Sequence, residues 1–503
     1  MYNFNFYMPA RVLFGEGKLS ELHEQKLPGK KALIVTSNGT SVKKYGYLDD
    51  VKHELDLAGV SYEVFDEVRP NPTSKNVMDG AEKAKKTGCD FVIALGGGSI
   101  MDCTKCIALM MTNPGTIWDY SLSLHGGKKD ALYAASPIVA ITTSAGTGSE
   151  VDMASVITDE ATQEKTGIFF ESMFPCLSVV DSRLMMSVPQ KFTAYQGMDA
   201  FFHAAESMIN KNEHTMGRMF ALQAIELIAK NLPKAYHDGS DREARTNMAL
   251  ANTLAGYYML CTSEHTMEHV MESFHDDLIH GAGLIMISHA YFDFFAERKA
   301  AEQPMIDMAK AMGVKDASSG KDFIKALDDL IASVGCSDLR MSDAGITKEE
   351  LKKYPQKVHE VLGGDITAGL LADGLFAQPE LRLFLDIGTN GEMALGNENG
   401  ALCCAVASGP AFEGAGISCG MPGITGAVSH VHYDRGFLCD IVGGGEVKGI
   451  CGSGLVDLVA VLLERGVIDE SGRLLPPQDA PEDMRRYLTE DGQGNGVFHL
   501  TKV

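Results

Sequence analysis

The sequence predicts three consecutive units: an α/β domain over residues 1–184, an all-helical domain over 185–368, and a shorter α/β segment over 369–503. Two changes of pattern carry this division. Short β-branched runs alternate with amphipathic stretches in the first unit, and those runs nearly vanish at about Met185 in favour of Ala, Leu, Met, Glu and Lys at helical spacing. From about Gly369 short apolar runs return, now separated by glycine-rich turns.

In the first unit Lys31–Thr36 (KALIVT) reads as a buried strand, followed by a helix to about Leu57. Ser61–Asp66 is a second strand, Val77–Thr87 a helix, and Asp90–Leu95 a third strand running into Gly96-Gly97-Gly98-Ser99. Strands separated by helices imply a parallel sheet with helices on its faces. In the second unit Ala221–Leu227 and Met248–Leu260 carry apolar residues at helical spacing. In the third, Leu383–Leu385, Met393–Leu395 and Phe437–Val442 read as strands and Val456–Glu464 as a helix.

A chain of 503 residues accommodates three domains at roughly 100–200 residues each. The net charge of −23 argues against nucleic acid and against an anionic membrane surface as partners, since both demand cationic patches. The opening MYNFNFYMPARVLFGEG lacks the basic and apolar regions of a secretory signal, and no apolar run approaches the roughly 20 residues that span a bilayer. The expectation is a cytoplasmic protein. Eleven scattered cysteines are no disulfide framework. Cys103 and Cys106 have CxxC spacing but follow a glycine-rich turn and read as helix filling. Cys403 and Cys404 are adjacent, without a second pair to complete a zinc site.

Two turns have the makings of a phosphate site. Gly96-Gly97-Gly98-Ser99 follows a strand and precedes the helical pattern Met101–Met110. Glycines there let backbone N–H groups approach a pyrophosphate, and the helix N-terminus adds its dipole. Ser99 is a candidate cap, with Asp102 in the first turn. Thr142-Thr143-Ser144-Ala145-Gly146-Thr147-Gly148-Ser149-Glu150 follows the apolar run Pro137–Ile141 and suits the same crevice. Either string by itself is also compatible with an ordinary strand-to-helix turn.

The helical unit offers metal-binding chemistry. Asp199 and His203 stand at i and i+4, as do His265 and His269, so each pair shares one helix face. His280 follows, before Gly281-Ala282-Gly283. Facing helices that supply carboxylate and imidazole build metal sites in helical domains. Oxygen and nitrogen donors suit Fe(II), Zn(II), Mn(II) or Ni(II) better than a soft metal. Spacing alone does not rank His269 or His275 against the other candidates.

Residues 1–368 resemble the iron-containing (group III) alcohol dehydrogenases, closest to the butanol-dehydrogenase-like members. The matching segments are FYMPARVLFGEG, ALGGGSIMDCTK, ITTSAGTGSEVDMASVITDE, GMDAFFHAAES and EHTMEHVMESFHDDLIHGAG, in family order. The resemblance implies a Rossmann-like nucleotide-binding domain joined to an all-helical metal-binding domain, the dehydroquinate synthase-like or iron alcohol dehydrogenase fold. It implies Fe(II), with Zn(II) as the alternative, held by Asp199, His203, His265 and His280, and a catalytic His269 near nicotinamide and substrate. Cofactor contacts map onto Gly97, Gly98, Ser99, Thr142, Thr143 and Thr147, with Lys165 a weaker candidate. The turn Ser37-Asn38-Gly39 lacks the acid that would bind a ribose 2′-hydroxyl and repel a 2′-phosphate, which favours NADP(H) over NAD(H). The implied reaction is hydride transfer between a small primary alcohol or its aldehyde and the nicotinamide, with the ion as Lewis acid and His269 relaying a proton. A homodimer is expected.

The third unit resembles a different family. LFLDIGTNGE (383–392), SGPAFEGAGISCGM (408–421) and GGGEVKGICGSGLVDLV (443–459) are similar to the ATPase region of reductive activators of corrinoid proteins, members of the actin-like and sugar-kinase superfamily. The expectation is an incomplete α/β actin-like ATPase fragment, without a further phosphate loop, fused near Gly364–Ala368 to a slightly truncated dehydrogenase. Two alternatives stand beside the dehydrogenase: a glycerol-dehydrogenase-like zinc enzyme, and an ATP-dependent corrinoid-protein activator with a passenger dehydrogenase.

Overall fold

A run such as KALIVT cannot leave either side of its strand in water. In the computed structural model it forms the interior of a six-stranded parallel sheet. The structure describes residues 4–121, 126–159, 164–275, 277–351, 353–354, 382–387, 391–397, 400–406, 419–421, 424–434, 436–469, 473–490 and 496–500. They fall into two compact units, Met1–Leu362 and Gly363–Val503. The α/β and helical halves read from the sequence share the first.

Strands β1 (Arg11–Phe14), β2 (Lys31–Ser37), β3 (Ser61–Val68), β4 (Phe91–Gly96), β5 (Ile138–Thr142) and β8 (Leu177–Val180) form the sheet in the order β1-β8-β5-β4-β2-β3. Every pairing is parallel. Alternate residues serve opposite faces, as the pleat requires. Leu33, Val35, Val92, Ala94, Ile138 and Ala140 join one core, while Ala32, Ile34, Phe91, Ile93, Val139 and Ile141 join the other. Helices α1 (Ser41–Lys44), α2 (Tyr47–Leu57), α3 (Ser74–Thr87) and α4 (Gly98–Thr112) connect the strands, and β6 (Ala154–Asp159) and β7 (Glu164–Phe169) form a separate hairpin packed on α4. From β2 the chain moves outward to β3, then returns to the other side of β2 to form β4. The order therefore reverses between β2 and β4, where open α/β sheets bind ligands beyond the carboxyl ends of their strands.

The helical half contains α5 (Gln190–Ile209), α6 (Thr215–His237), α7 (Arg242–Gly256), α8 (Ser263–Phe274), α9 (His280–Arg298), α10 (Glu302–Ala311), α11 (Gly320–Ser333) and α12 (Lys348–Leu351). Their shared core includes Phe201, Phe202, Leu232, Phe292 and Phe323. The apolar pattern read over Met248–Leu260 is helical only to Gly256. There α7 meets the other half closely: a Cβ on Gly256 would lie 2.5 Å from the Gly148 carbonyl. Residues 257–262 form the loop into α8.

In the second unit β9 (Arg382–Ile387), β10 (Gly391–Asn397) and β11 (Gly400–Val406) form an antiparallel sheet. Strands β12 (Ala427–Tyr433), β13 (Phe437–Ile441) and β14 (Gly449–Ile450) form another, with α13 (Gly452–Glu464) packed on it through Leu455 and Leu458. β15 (Leu488–Glu490) and β16 (Gly496–Phe498) pair separately. Residues 388–390 and most of 408–421 lie outside the described residues, as do the side chains of Cys403 and Cys404. Among the described residues no helix is long and apolar enough to cross a membrane.

Candidate metal and nucleotide site

The two glycine turns lie side by side because β4 and β5 are neighbours in register, Gly96 opposite Thr142. The Thr143 N–H donates to the Gly96 carbonyl at 3.0 Å. The second turn sits so close to the first that side chains are excluded: a Cβ on Gly97 would come 2.9 Å from Ser144 Oγ, and one on Gly98 2.4 Å from Thr147 Cγ2. Gly97, not Ser99, is the N-cap of α4, so Ser99 lies in the first turn and no side chain caps the helix. The Ile100 and Met101 N–H groups donate to the Gly97 carbonyl, so only the Gly98 and Ser99 N–H groups ahead of them lack an acceptor within the helix. Ser37 ends β2 and Asn38 follows, across the point where strand order reverses. Lys105, almost fully buried, ties α4 to the second turn by donating to Ser149 Oγ, Asp152 Oδ1 and the Ala154 carbonyl at 2.7–2.8 Å. Cys103 and Cys106 are free and buried, and burial pushes the Cys106 thiol up to about 12. That is an unreactive thiol filling a helix.

The second turn also reaches the helical half. Gly148 N–H donates to Asn252 Oδ1 of α7 at 2.9 Å, and Glu150 Oε1 accepts from Asn252 and Thr253. The Gly146 carbonyl lies 3.2 Å from His203 Nδ1. A carbonyl only accepts, so Nδ1 carries the proton and Nε2 of a neutral imidazole presents its lone pair. The nucleotide turn thus touches a candidate metal residue directly.

Apart from half-buried Gln196, helix α5 is buried from Thr193 to Met208, so Asp199, His203 and Glu206 need partners or a ligand. Four predicted donors converge there. His203, His265 and His280 direct Nε2 to 3.7, 3.5 and 3.5 Å from Asp199 Oδ1. The opposite nitrogen is occupied in each case: His203 Nδ1 by the Gly146 carbonyl, His265 Nδ1 by Glu206 and His280 Nδ1 by Glu268. Burial opposes ionisation of Asp199, yet His203, His280 and His265, when protonated, hold its carboxyl below the usual range; a divalent cation would take the place of those protons on Nε2. Glu206, with His265 and Thr262 on its oxygens, is likewise held low against its burial. Asp199 Oδ1 and His265 Nε2 are buried without a hydrogen-bond partner. Three nitrogen lone pairs and a carboxylate oxygen facing one another fit a divalent cation, with a carboxylate or carbonyl orienting each imidazole from behind.

His269 stacks on His280 at a centroid distance of 5.2 Å. Burial, together with facing Lys165 and His280, keeps its pKa well below the usual histidine value, so the ring is neutral. Lys165 ion-pairs with Glu272 and donates to Asn71 Oδ1 at 3.3 Å, with Glu272 3.8 Å from His280. Lys165 therefore sits beside the imidazoles. Asn71 adopts φ +53°, uncommon for a residue with a side chain. His275 lies apart, 3.6 Å from Glu350.

Sequence reasoning missed Glu206, Glu268, Glu272 and Cys261. The acids had a signal: His203/Glu206, His265/Glu268 and His269/Glu272 all stand at i and i+3, on shared faces. Cys261 had none. Its sulfur lies with the His203 and His265 ligand nitrogens, all within 4.8 Å of one another.

Residues 9–182 match the iron-containing alcohol dehydrogenase family and residues 193–364 its C-terminal domain. The chain is 35% identical over 338 residues to the 1,3-propanediol dehydrogenase of Klebsiella pneumoniae, covering 66% of this chain and 84% of that protein. The chain belongs to the iron-containing alcohol dehydrogenase family. A probable NADH-dependent butanol dehydrogenase of Bacillus subtilis is 30% identical, over 71% of this dehydrogenase's chain and 93% of its own. The crystal structure of an archaeal halo-thermophilic alcohol dehydrogenase from a Red Sea brine pool superposes with a TM-score of 0.68 at 31% identity, covering 73% and 95% of the two chains. Residues 380–500 match the C-terminal ASKHA domain of RACo. These matches favour the dehydrogenase over both alternatives.

Proposed function

We propose that this dehydrogenase reduces small aldehydes, and oxidises the corresponding primary alcohols, at a divalent ion held by Asp199, His203, His265 and His280. The observation that carries the reading is the Gly146 carbonyl on His203 Nδ1, which joins the nucleotide turn to the imidazole cluster. A bound Fe(II) or Zn(II) supplies Lewis acidity toward the substrate oxygen. The chain's own residues do the rest. Gly97, Gly98 and Ser99 at the start of α4, with Thr142, Thr143 and Thr147 of the second turn, cradle the dinucleotide phosphates. Glu206 and Glu268 orient His265 and His280. His269, neutral and beside His280, carries a proton between substrate and solvent.

NADP(H) is the preferred nucleotide in this reading. Ser37-Asn38-Gly39 holds no carboxylate; of the lysines on α1 just beyond it, Lys43 ion-pairs with Asp66 and Lys44 lies over the Tyr45 ring. The homodimer belongs to the same proposal. The test is NADPH oxidation with butyraldehyde by the full chain, loaded in turn with Fe(II) and Zn(II). Turnover that appears with metal and vanishes on chelation is expected. Metal-loaded protein inert toward every small aldehyde with both nucleotides overturns the reading.

A further inference from the structure

The loop between α7 and α8 is pinned to α5 on both sides of one residue. Ser207 Oγ accepts from the Leu260 N–H at 2.9 Å, and its one proton is shared between the His203 carbonyl at 2.7 Å and the Tyr258 carbonyl at 2.9 Å. Glu206 Oε1 accepts from the Thr262 N–H at 3.1 Å and from the Glu264 N–H at 2.9 Å. Cys261 lies between these anchors, so its position follows from α5, the helix that carries Asp199 and His203. Its sulfur is grouped with the ligand nitrogens of His203 and His265 within 4.8 Å. The histidine side of this group is independently short of a partner: His265 is 4% exposed, and its Nε2 has no hydrogen bond.

The His203 and His265 rings stack at a centroid distance of 4.5 Å and 17° between planes. They form one wall of the site, and Cys261 stands next to it. Each ring has its Nδ1 engaged elsewhere, by Gly146 and Glu206, so the nitrogen available to sulfur is the one available to a metal. A thiol placed there has two imidazole nitrogens as its chemical neighbours.

We propose that Cys261 is a thiolate donor to the ion held by Asp199, His203, His265 and His280, and that it shifts the site's selectivity toward thiophilic ions such as Zn(II) and Co(II). This rests on the four-residue metal reading above and deepens it. On binding, the Cys261 S–H bond breaks, the proton leaves to solvent, and the sulfur lone pair forms the bond to the cation; nothing is oxidised or reduced. Soft sulfur favours zinc and cobalt over iron and manganese at an otherwise oxygen- and nitrogen-based site.

The test uses the full chain, stripped of metal and titrated with Co(II). Wild-type protein is expected to bind one equivalent, with visible ligand-field bands and a near-ultraviolet sulfur-to-cobalt charge-transfer band. Cys261→Ser should keep the ligand-field bands, lose the charge-transfer band, and bind Zn(II) about tenfold more weakly, with a smaller change for Mn(II). A second measurement needs no variant. Cys261 is exposed, and Zn(II) should slow its alkylation by iodoacetamide, read site by site by mass spectrometry, without slowing that of exposed Cys176. Ligand-field bands without the charge-transfer band, and alkylation indifferent to Zn(II), overturn the role of Cys261 and leave the four-residue centre standing. No cobalt bound by wild type overturns the four-residue centre itself.

Discussion

Two triple glycines occur in this chain, one in each unit, and they are there for opposite reasons. Gly96–Gly98 has no residue at positive φ, and Gly97 itself has φ −88°. What these glycines supply is room: added Cβ atoms would meet Ile100, Ser144 and Thr147 at 2.4–2.9 Å. Gly443–Gly445 runs at φ +70°, +69° and +94°, and a Cβ on Gly444 or Gly445 would meet nothing within 4 Å. Here glycine supplies conformational freedom between β13 and β14. The first is a packed cradle and the second an open turn. The contrast extends to polar groups. Acids and imidazoles converge in the buried interior of the dehydrogenase unit, whereas the described histidine–acid pairs of the second unit, His430–Asp457 and His432–Asp440, lie at its surface.

The sharpest test of that contrast removes the point of convergence. Asp199→Asn should abolish tight binding of a divalent ion and reduce aldehyde turnover to background, by elemental analysis and NADPH oxidation, while His430→Ala changes neither. Comparable losses in both would break the comparison. Next is Glu206→Gln, which leaves His265 without its carboxylate. Metal affinity should fall about 10–100-fold in a chelator competition. An unchanged affinity would mean that the buried acid serves packing alone.

The glycines themselves give the smaller effects. Gly98→Ala drives a methyl into Thr147, and overpacking of roughly 1–3 kcal/mol should weaken NADPH binding by about tenfold or more, measured by nucleotide fluorescence. Gly444→Ala places a side chain at φ +69° in open space. It should lower the stability of the second unit by roughly 1 kcal/mol, seen in its thermal transition, and leave NADPH affinity untouched. A reversal of these two results would show that the turns had been assigned each other's roles.

The helix ends illustrate where pattern stops being informative. Met248–Leu260 is one apolar stretch in the sequence, but α7 ends at Gly256, where the Gly148 backbone leaves no room for a side chain. Ser99 looks like a cap by residue type, yet the cap falls two residues earlier, at Gly97, which takes the extended conformation. Lys165, given only as a weaker cofactor contact by the family resemblance, pairs with Glu272 more than a hundred positions away.

By itself the sequence determined the alternating strands, the helical second half, and the pairs Asp199/His203 and His265/His269, because the periods of strand and helix are local properties of the chain. It also placed Glu206, Glu268 and Glu272 three residues beyond histidines. Tertiary structure alone decided which acid stands behind which imidazole. Glu206 of α5 serves His265 of α8, and Glu268 of α8 serves His280 of α9, never the histidine three residues before. Those partners depend on how the helices cross, and so does the arrival of Cys261 beside His203 and His265. Spacing along one helix sets a face; only packing sets what that face meets.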